Sequence, residues 1–282
     1  MSAALDDTAQ AYADVHSIAA LLKAGRAIPY LGPALAPQAP GPRTPEALAD
    51  FFASKVALPR RAKGNAWAAA QHIESYKHRS TVTTLMNAAF AAPVAPTALH
   101  SALARLGLPL IIESWYDDAM RAALAGTSTW GEVQGITRAG IGEDRWFRFY
   151  SPQGEPTSAA EAATWATLLY RPHGGVAPAH NYLISDSDYV EVLTEIDIQT
   201  PIPEDVRHRR SGRSFVFMGC RFHDQMLRSY ARQIMKRSTE RHYALLPDGP
   251  LTRNEARFLA EQGITPVTLP LNDAVSELLS VL

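Results

Sequence analysis

Four short stretches of this chain hold residues able to do chemistry. The first is Gly219-Cys220-Arg221-Phe222-His223-Asp224, which follows the mostly apolar run Ser214-Phe215-Val216-Phe217-Met218. An apolar run that stops at a glycine and turns into a capped helical pattern reads as a buried parallel strand feeding a ligand-facing loop. A glycine there lets the backbone approach a phosphate or ribose, although an ordinary strand-to-helix turn would leave the same pattern. Arg221 in that loop is placed to contact a pyrophosphate.

His173 stands in Arg171-Pro172-His173-Gly174-Gly175, between a strand pattern and a glycine pair. An imidazole titrates near neutrality, which suits a general base taking a proton from a ribose hydroxyl; a histidine that only hydrogen-bonds loop backbone fits the same spacing. Glu113-Ser114-Trp115-Tyr116-Asp117-Asp118 opens a helix, where Asp117 and Asp118 suit capping of backbone N–H groups. Those acids form no alternating metal loop, so no metal site is expected. Ser114 lacks the glycine-flanked elbow of a serine nucleophile. The fourth stretch, Gly32-Pro33-Ala34-Leu35-Ala36-Pro37, has a single glycine and prolines that donate no N–H, a poor phosphate cradle on its own.

These loops need strands to hold them. Residues 8–24 read as an amphipathic helix stopped at Gly25, and Thr44 with Pro45 opens another through about Val56. Helical patterns at 64–78, 81–91 and 96–106 predict a helical insertion over 38–106. Six core strands are expected, at about 27–31, 109–112, 165–169, 214–218, 242–246 and 264–268, alternating with helices. Residues 126–162, with aromatic alternation around Trp130–Thr137 and Arg145–Tyr150, read as a β-hairpin and loop outside the sheet. Ser185 with Asp188 caps a helix to about Glu195, and helices are expected from His223, Thr252 and Asp273. The fold class is α/β: a Rossmann-like, doubly wound parallel sheet in one domain spanning 1–282, with loops at strand carboxyl ends as the cleft walls.

Composition narrows the function classes. The 282 residues are 46% hydrophobic and 20% charged with a formal charge of −1, a globular balance with no global pull toward nucleic acid. The arginines of 207–241 could face a nucleic acid, but no aromatic interleaving accompanies them, and a solvated or internally paired face is the simpler reading. No apolar run approaches the roughly 20 residues of a membrane span, so a cytoplasmic protein is expected. Cys220 is the only cysteine, which rules out an intrachain disulfide and a multi-cysteine zinc module.

In their order along the chain, Gly32-Pro33-Ala34-Leu35-Ala36, Glu113-Ser114-Trp115-Tyr116-Asp117-Asp118, Pro172-His173-Gly174 and Gly219-Cys220-Arg221-Phe222-His223-Asp224 resemble the motifs of a divergent bacterial sirtuin-like domain. The resemblance spans roughly residues 18–270 and implies a zinc-free, NAD-binding domain. It implies NAD or ADP-ribose contacts at Gly32, Pro33, Ala34, Ser114, Trp115, Asp117, Gly174, Gly219, Cys220, Arg221 and Asp224. It gives His173 the role of base on the ribose for cleavage of the nicotinamide–ribose bond. Trp115 stands where the family motif has an asparagine, and the first loop lacks that motif's second glycine and serine. The alternative is therefore a degenerate sensor or scaffold working through protein partners or as a homo-oligomer.

Overall fold

The strands predicted from apolar runs form because both of their faces are buried. The computed structural model describes residues 2–127, 129–137, 146–195, 202–239 and 241–282. Its strands are β1 (Ala27–Leu31), β2 (Leu110–Glu113), β3 (Trp130–Gly135), β4 (Phe147–Tyr150), β5 (Pro156–Thr157), β6 (Thr167–Arg171), β7 (Gly174–Gly175), β8 (Asn181–Tyr182), β9 (Ser214–Met218), β10 (His242–Leu245) and β11 (Ile264–Pro266). One nine-stranded sheet runs β11-β10-β9-β1-β2-β6-β3-β4-β5, and β7 pairs with β8 separately.

The six expected strands are the parallel core of that sheet. Numbered among themselves in chain order, they lie 3-2-1-4-5-6, the order of a doubly wound dinucleotide fold. Alternate side chains serve opposite layers: Phe215 and Phe217 of β9 join one core cluster, Val216 and Met218 the other.

The helices are α1 (Ser2–Lys23), α2 (Pro45–Lys55), α3 (Ala66–Tyr76), α4 (Arg79–Ala89), α5 (Ala98–Arg105), α6 (Ala119–Leu124), α7 (Ala159–Ala162), α8 (Asp186–Glu195), α9 (Glu204–Arg210), α10 (Gln225–Met235), α11 (Arg253–Glu261) and α12 (Leu271–Val281). The apolar residues of α1, α5, α6 and α12 cover one face of the sheet. Those of α2, α3, α4, α8, α10 and α11 cover the other. Thr44 caps α2 by accepting from the Ala47 N–H at 3.1 Å, and Gly25 ends α1 with φ +62°. No helix among the described residues is long and apolar enough to cross a membrane.

Two expectations are corrected. The hairpin of 126–162 is not set apart from the sheet: β3 pairs parallel with β6, and β4 and β5 extend the same sheet antiparallel. The expected segment from Arg145 begins outside the described residues, which omit 138–145. The third core strand is displaced toward the carboxyl end and finishes at Arg171, so this arginine belongs to the strand and not to the loop after it. The polar stretch before β9 contains α9, which buries Val206 on the sheet and carries Glu204 and Asp205 in its first turn.

Candidate functional site

The chain leaves β1 toward β2 on one side and returns to β9 on the other, which opens a crevice at the carboxyl ends of these two strands. A cleft lies there, with an empty volume of about 690 Å³ counting its open mouth. Tyr30, Trp67, Trp115 and Phe222 contribute aromatic walls, and Pro33, Ala34, Ser114, Gly219, Cys220 and Arg221 complete the part drawn from the sequence motifs.

The β1 and β9 loops touch through backbone. The Gly32 N–H donates to the Met218 carbonyl at 2.8 Å, and the Ala34 N–H donates to that of Gly219 at 3.2 Å. A Cβ on Gly32 would stand 2.5 Å from the Gly219 oxygen and 2.6 Å from the Cys220 sulfur. Gly219 itself has φ +69°, a conformation that favours glycine. Glycine at both positions thus serves loop-on-loop contact, and the amides of Gly32 and Ala34 are directed at protein carbonyls.

The polar side chains of the cleft are also occupied. The Ser114 hydroxyl donates to the Leu31 carbonyl at 2.8 Å. Burial pushes the Cys220 thiol up to about 12, which keeps it protonated and weakly nucleophilic at neutral pH. The Trp115 indole N–H donates to the Pro42 carbonyl at 3.0 Å and its ring meets Phe90 edge-on. Arg43 pairs with Asp117 at 2.5 Å and donates to the Pro33 carbonyl at 3.1 Å. Arg221 makes two 2.8 Å contacts to the Glu255 carboxylate, which holds that acid down at about 2 despite its burial. Asp224 caps α10, accepting from the Met226 N–H at 2.7 Å. At the mouth His223 meets Glu46 at 2.8 Å; this contact pushes His223 up and holds Glu46 near 2.

His173 is not on the cleft wall. It is 1% exposed, its Nδ1 lies 3.1 Å from the Tyr189 hydroxyl, and its ring packs between Tyr189 and Tyr230. Tyr189 in turn meets Trp67, a wall of the cleft, so a layer of aromatic rings links the cleft to the histidine. Burial pushes His173 down to about 3 and leaves it neutral. Its Nε2 has no hydrogen-bond partner among the described residues. Gly174, with φ +73°, turns into β7, where a Cβ would stand 2.1 Å from the Asn181 carbonyl oxygen.

Beside the cleft, the ends of β2, β3 and β6 are closed by a charge network. The fully buried Arg171 reaches Asp118 at 2.9 Å, Glu113 at 3.5 Å and Glu132 at 3.8 Å, and donates to the carbonyls of Tyr116, Asp117 and Ala177. Arg121 pairs with Glu132 at 2.8 Å. Two guanidiniums face three carboxyls, and burial pushes both Glu113 and Glu132 up.

Sequence reasoning missed Arg43, Glu46 and Trp67, whose spacing gives no sign of the cleft, and Glu255, which it placed only within the helix expected from Thr252 and which the structure shows in a capping box with Thr252. The first arginines of the basic segment turn inward, whereas Arg232, Arg237 and Arg241 stay exposed. Arg209 donates to the carbonyls of Pro109, Ala162, Trp165 and Ala166, Arg210 to those of Gln233 and Ile234, and Arg213 to that of Gly25. Among the described residues no three His, Cys, Asp or Glu side chains converge as metal ligands would.

No curated protein matches the chain. A family model described as a SIR2-like domain matches residues 109–267, from the start of β2 to just past β11, leaving β1 and the α2 and α3 wall of the cleft outside the match. Because that match covers more than half of the chain and contains the Ser114, His173 and Gly219 loops, the protein belongs to the SIR2-like domain family.

Proposed function

We propose that this chain is a cytoplasmic protein that binds a nucleotide of the NAD class, NAD or ADP-ribose, in the cleft at the ends of β1 and β9. The observation that carries the reading is the position and lining of that cleft. It opens at the switch point of a 3-2-1-4-5-6 sheet and is walled by Tyr30, Trp67, Trp115 and Phe222, rings suited to a planar base. The residues fit the two parts of such a ligand unequally. The aromatic walls fit a base, whereas the groups that would take phosphates, Arg43, Arg221 and His223, are paired with Asp117, Glu255 and Glu46.

Bound NAD would bring a labile nicotinamide–ribose bond. The histidine that the family resemblance assigns to the ribose, His173, is neutral and thus able to accept a proton, but it sits beneath Tyr189 and Tyr230. We therefore read this conformation as one that binds and does not cut. A scaffold that binds no nucleotide is the second reading, favoured by the Trp115 indole held in the cleft by the Pro42 carbonyl.

Calorimetric titration with NAD and ADP-ribose, with chromatography for released nicotinamide, tests this. Saturable binding at or below ~1 mM with NAD recovered intact is expected. Release of nicotinamide by the wild type that disappears in His173→Ala would overturn the non-cutting part. Failure of both nucleotides to bind would leave the scaffold.

A further inference from the structure

The three ion pairs of the cleft differ in how firmly they are closed. Side-chain exposures are 12% and 6% for Arg43 with Asp117, and 24% and 1% for Arg221 with Glu255. His223 and Glu46 are 31% and 53% exposed, yet both line the cleft and stand 2.8 Å apart. Glu46 belongs to the first turn of α2, while His223 follows β9, so the pair straps the helical wall to the loop across the mouth.

The surroundings of His223 are mixed in charge. Glu46 faces it from α2 and Glu255 from α11, and Asp224 adjoins it. Arg221 lies two residues before it, and Arg228 of α10 donates to its carbonyl at 2.7 Å. Glu46 also acts on Arg221, so one carboxylate stands in the field of two cations at the edge of an apolar, aromatic cavity. That is where an anionic ligand group would be held, and a half-exposed surface pair is the cheapest of the three to open.

We propose that the Glu46 carboxylate occupies the phosphate seat of the cleft in the free protein, and that a phosphorylated nucleotide binds by displacing it from His223. This rests on the cleft being the nucleotide site. The exchange trades one anion for another, so a phosphate-free nucleoside gains nothing from it. Removing the charge of Glu46 leaves His223 to the ligand, while Arg221 stays paired with Glu255 and adds its field.

Calorimetric titration of the full chain with ADP-ribose and with adenosine, in wild type, E46Q and E46Q/H223Q, reads this directly. Glu46 is half exposed, so E46Q gives up only a surface ion pair and should melt slightly below the wild type while staying folded. ADP-ribose is expected to bind E46Q about five- to tenfold more tightly than wild type, adenosine equally to both, and the double variant should lose the gain. In E46Q the free His223 is less basic than in the complex, so ADP-ribose affinity should fall as pH rises from about 6.5 to 8, while that of the wild type stays nearly flat. Equal or weaker ADP-ribose binding by E46Q, with adenosine still bound, would overturn the displacement and leave the site standing. Loss of all nucleotide binding in every variant would overturn both.

Discussion

At the carboxyl edge of the sheet, two neighbouring regions solve the same problem in opposite ways. Strands β2, β6 and β3 end in a network closed around Arg171, which is 0% exposed, with only Asp118 among its acids reaching solvent. Strands β1 and β9 end in loops that leave a cleft, and their arginine, Arg221, keeps part of its side chain in solvent. Each arginine faces carboxylates, but Arg171 bridges three strands and three carbonyls whereas Arg221 pairs with one helix-capping acid. Charge buried on one side fixes the loop geometry; charge paired at the rim on the other is open to exchange. Pre-organisation and ligand access are thus divided between adjacent strand ends.

The largest effect should come from breaking the closed side. Arg171→Met removes the shared cation, leaves Glu132 and Asp118 short of a partner and takes a donor from three carbonyls, of which Tyr116 keeps the Val176 N–H and Ala177 the Gln134 amide. A loss of about 3–5 kcal/mol is expected in urea unfolding. A loss below ~1 kcal/mol would mean that the network is not what holds the β2 loop, and the contrast with the cleft would collapse.

Acid separates the two regions next. Burial pushes His173 down to about 3 and His100 and His242 to about 4, so these residues stay neutral in the folded protein. Unfolded, each takes a proton below about 6.5, so stability is complete above that pH and falls as the pH is lowered toward the folded values. The cleft acids Glu46 and Glu255, held near 2, withdraw their contribution only as the pH drops from their unfolded value, about 4.5, toward 2. Between pH 6.5 and 5 the slope carries the buried histidines together with Glu113 and His223, whose raised folded values act in the opposite sense, so the share of His173 is read as the difference between wild type and variant. His173→Gln should reduce that slope by up to about 1.4 kcal/mol per pH unit in urea midpoints taken at pH 7, 6 and 5. An unchanged slope would place His173 in contact with water, and with it the ribose.

Legibility in the sequence follows the range of the forces involved. Strands β1 and β9 were readable because continuous apolar runs need burial on both faces, and α2 and α11 because their caps are local: Thr44 before Pro45, and Thr252 three residues before Glu255. Strand β3 was legible as one arm of a hairpin but not as a strand of the core sheet, since its Glu132 and Gln134, both 0% exposed, look like solvent-facing residues until Arg121, Arg171 and the Ala177 carbonyl are brought to them. Helix α9 hid because Val206 is its only buried apolar residue in a basic run. Within the site, the loops carrying Pro33, Ser114 and Gly219 were legible as strand ends, while the partners that decide their chemistry were not. Asp117 meets Arg43 from 74 positions away and Arg221 meets Glu255 from 34, and His173 is covered by tyrosines from α8 and α10.

The smallest effect tests the open side by its backbone. In Gly32→Ala the new methyl would lie 2.5 Å from the Gly219 oxygen and 2.6 Å from the Cys220 sulfur, so the β1 and β9 loops must part by several tenths of an ångström. The backbone of Gly32 is extended, φ −116°, so alanine adds no conformational strain and the whole effect is steric. A cost of roughly 1–3 kcal/mol is expected, less than at Arg171 because the loops border a cavity and can move into it. Parting the loops also lengthens the contacts of Gly32 with Met218 and of Ala34 with Gly219, so nucleotide affinity should change together with stability. At Arg171 stability should fall far more for the same change in affinity. Measuring both quantities on both variants decides the comparison: an equal ratio of binding loss to stability loss would show one cooperative edge, and unequal ratios two independent ones.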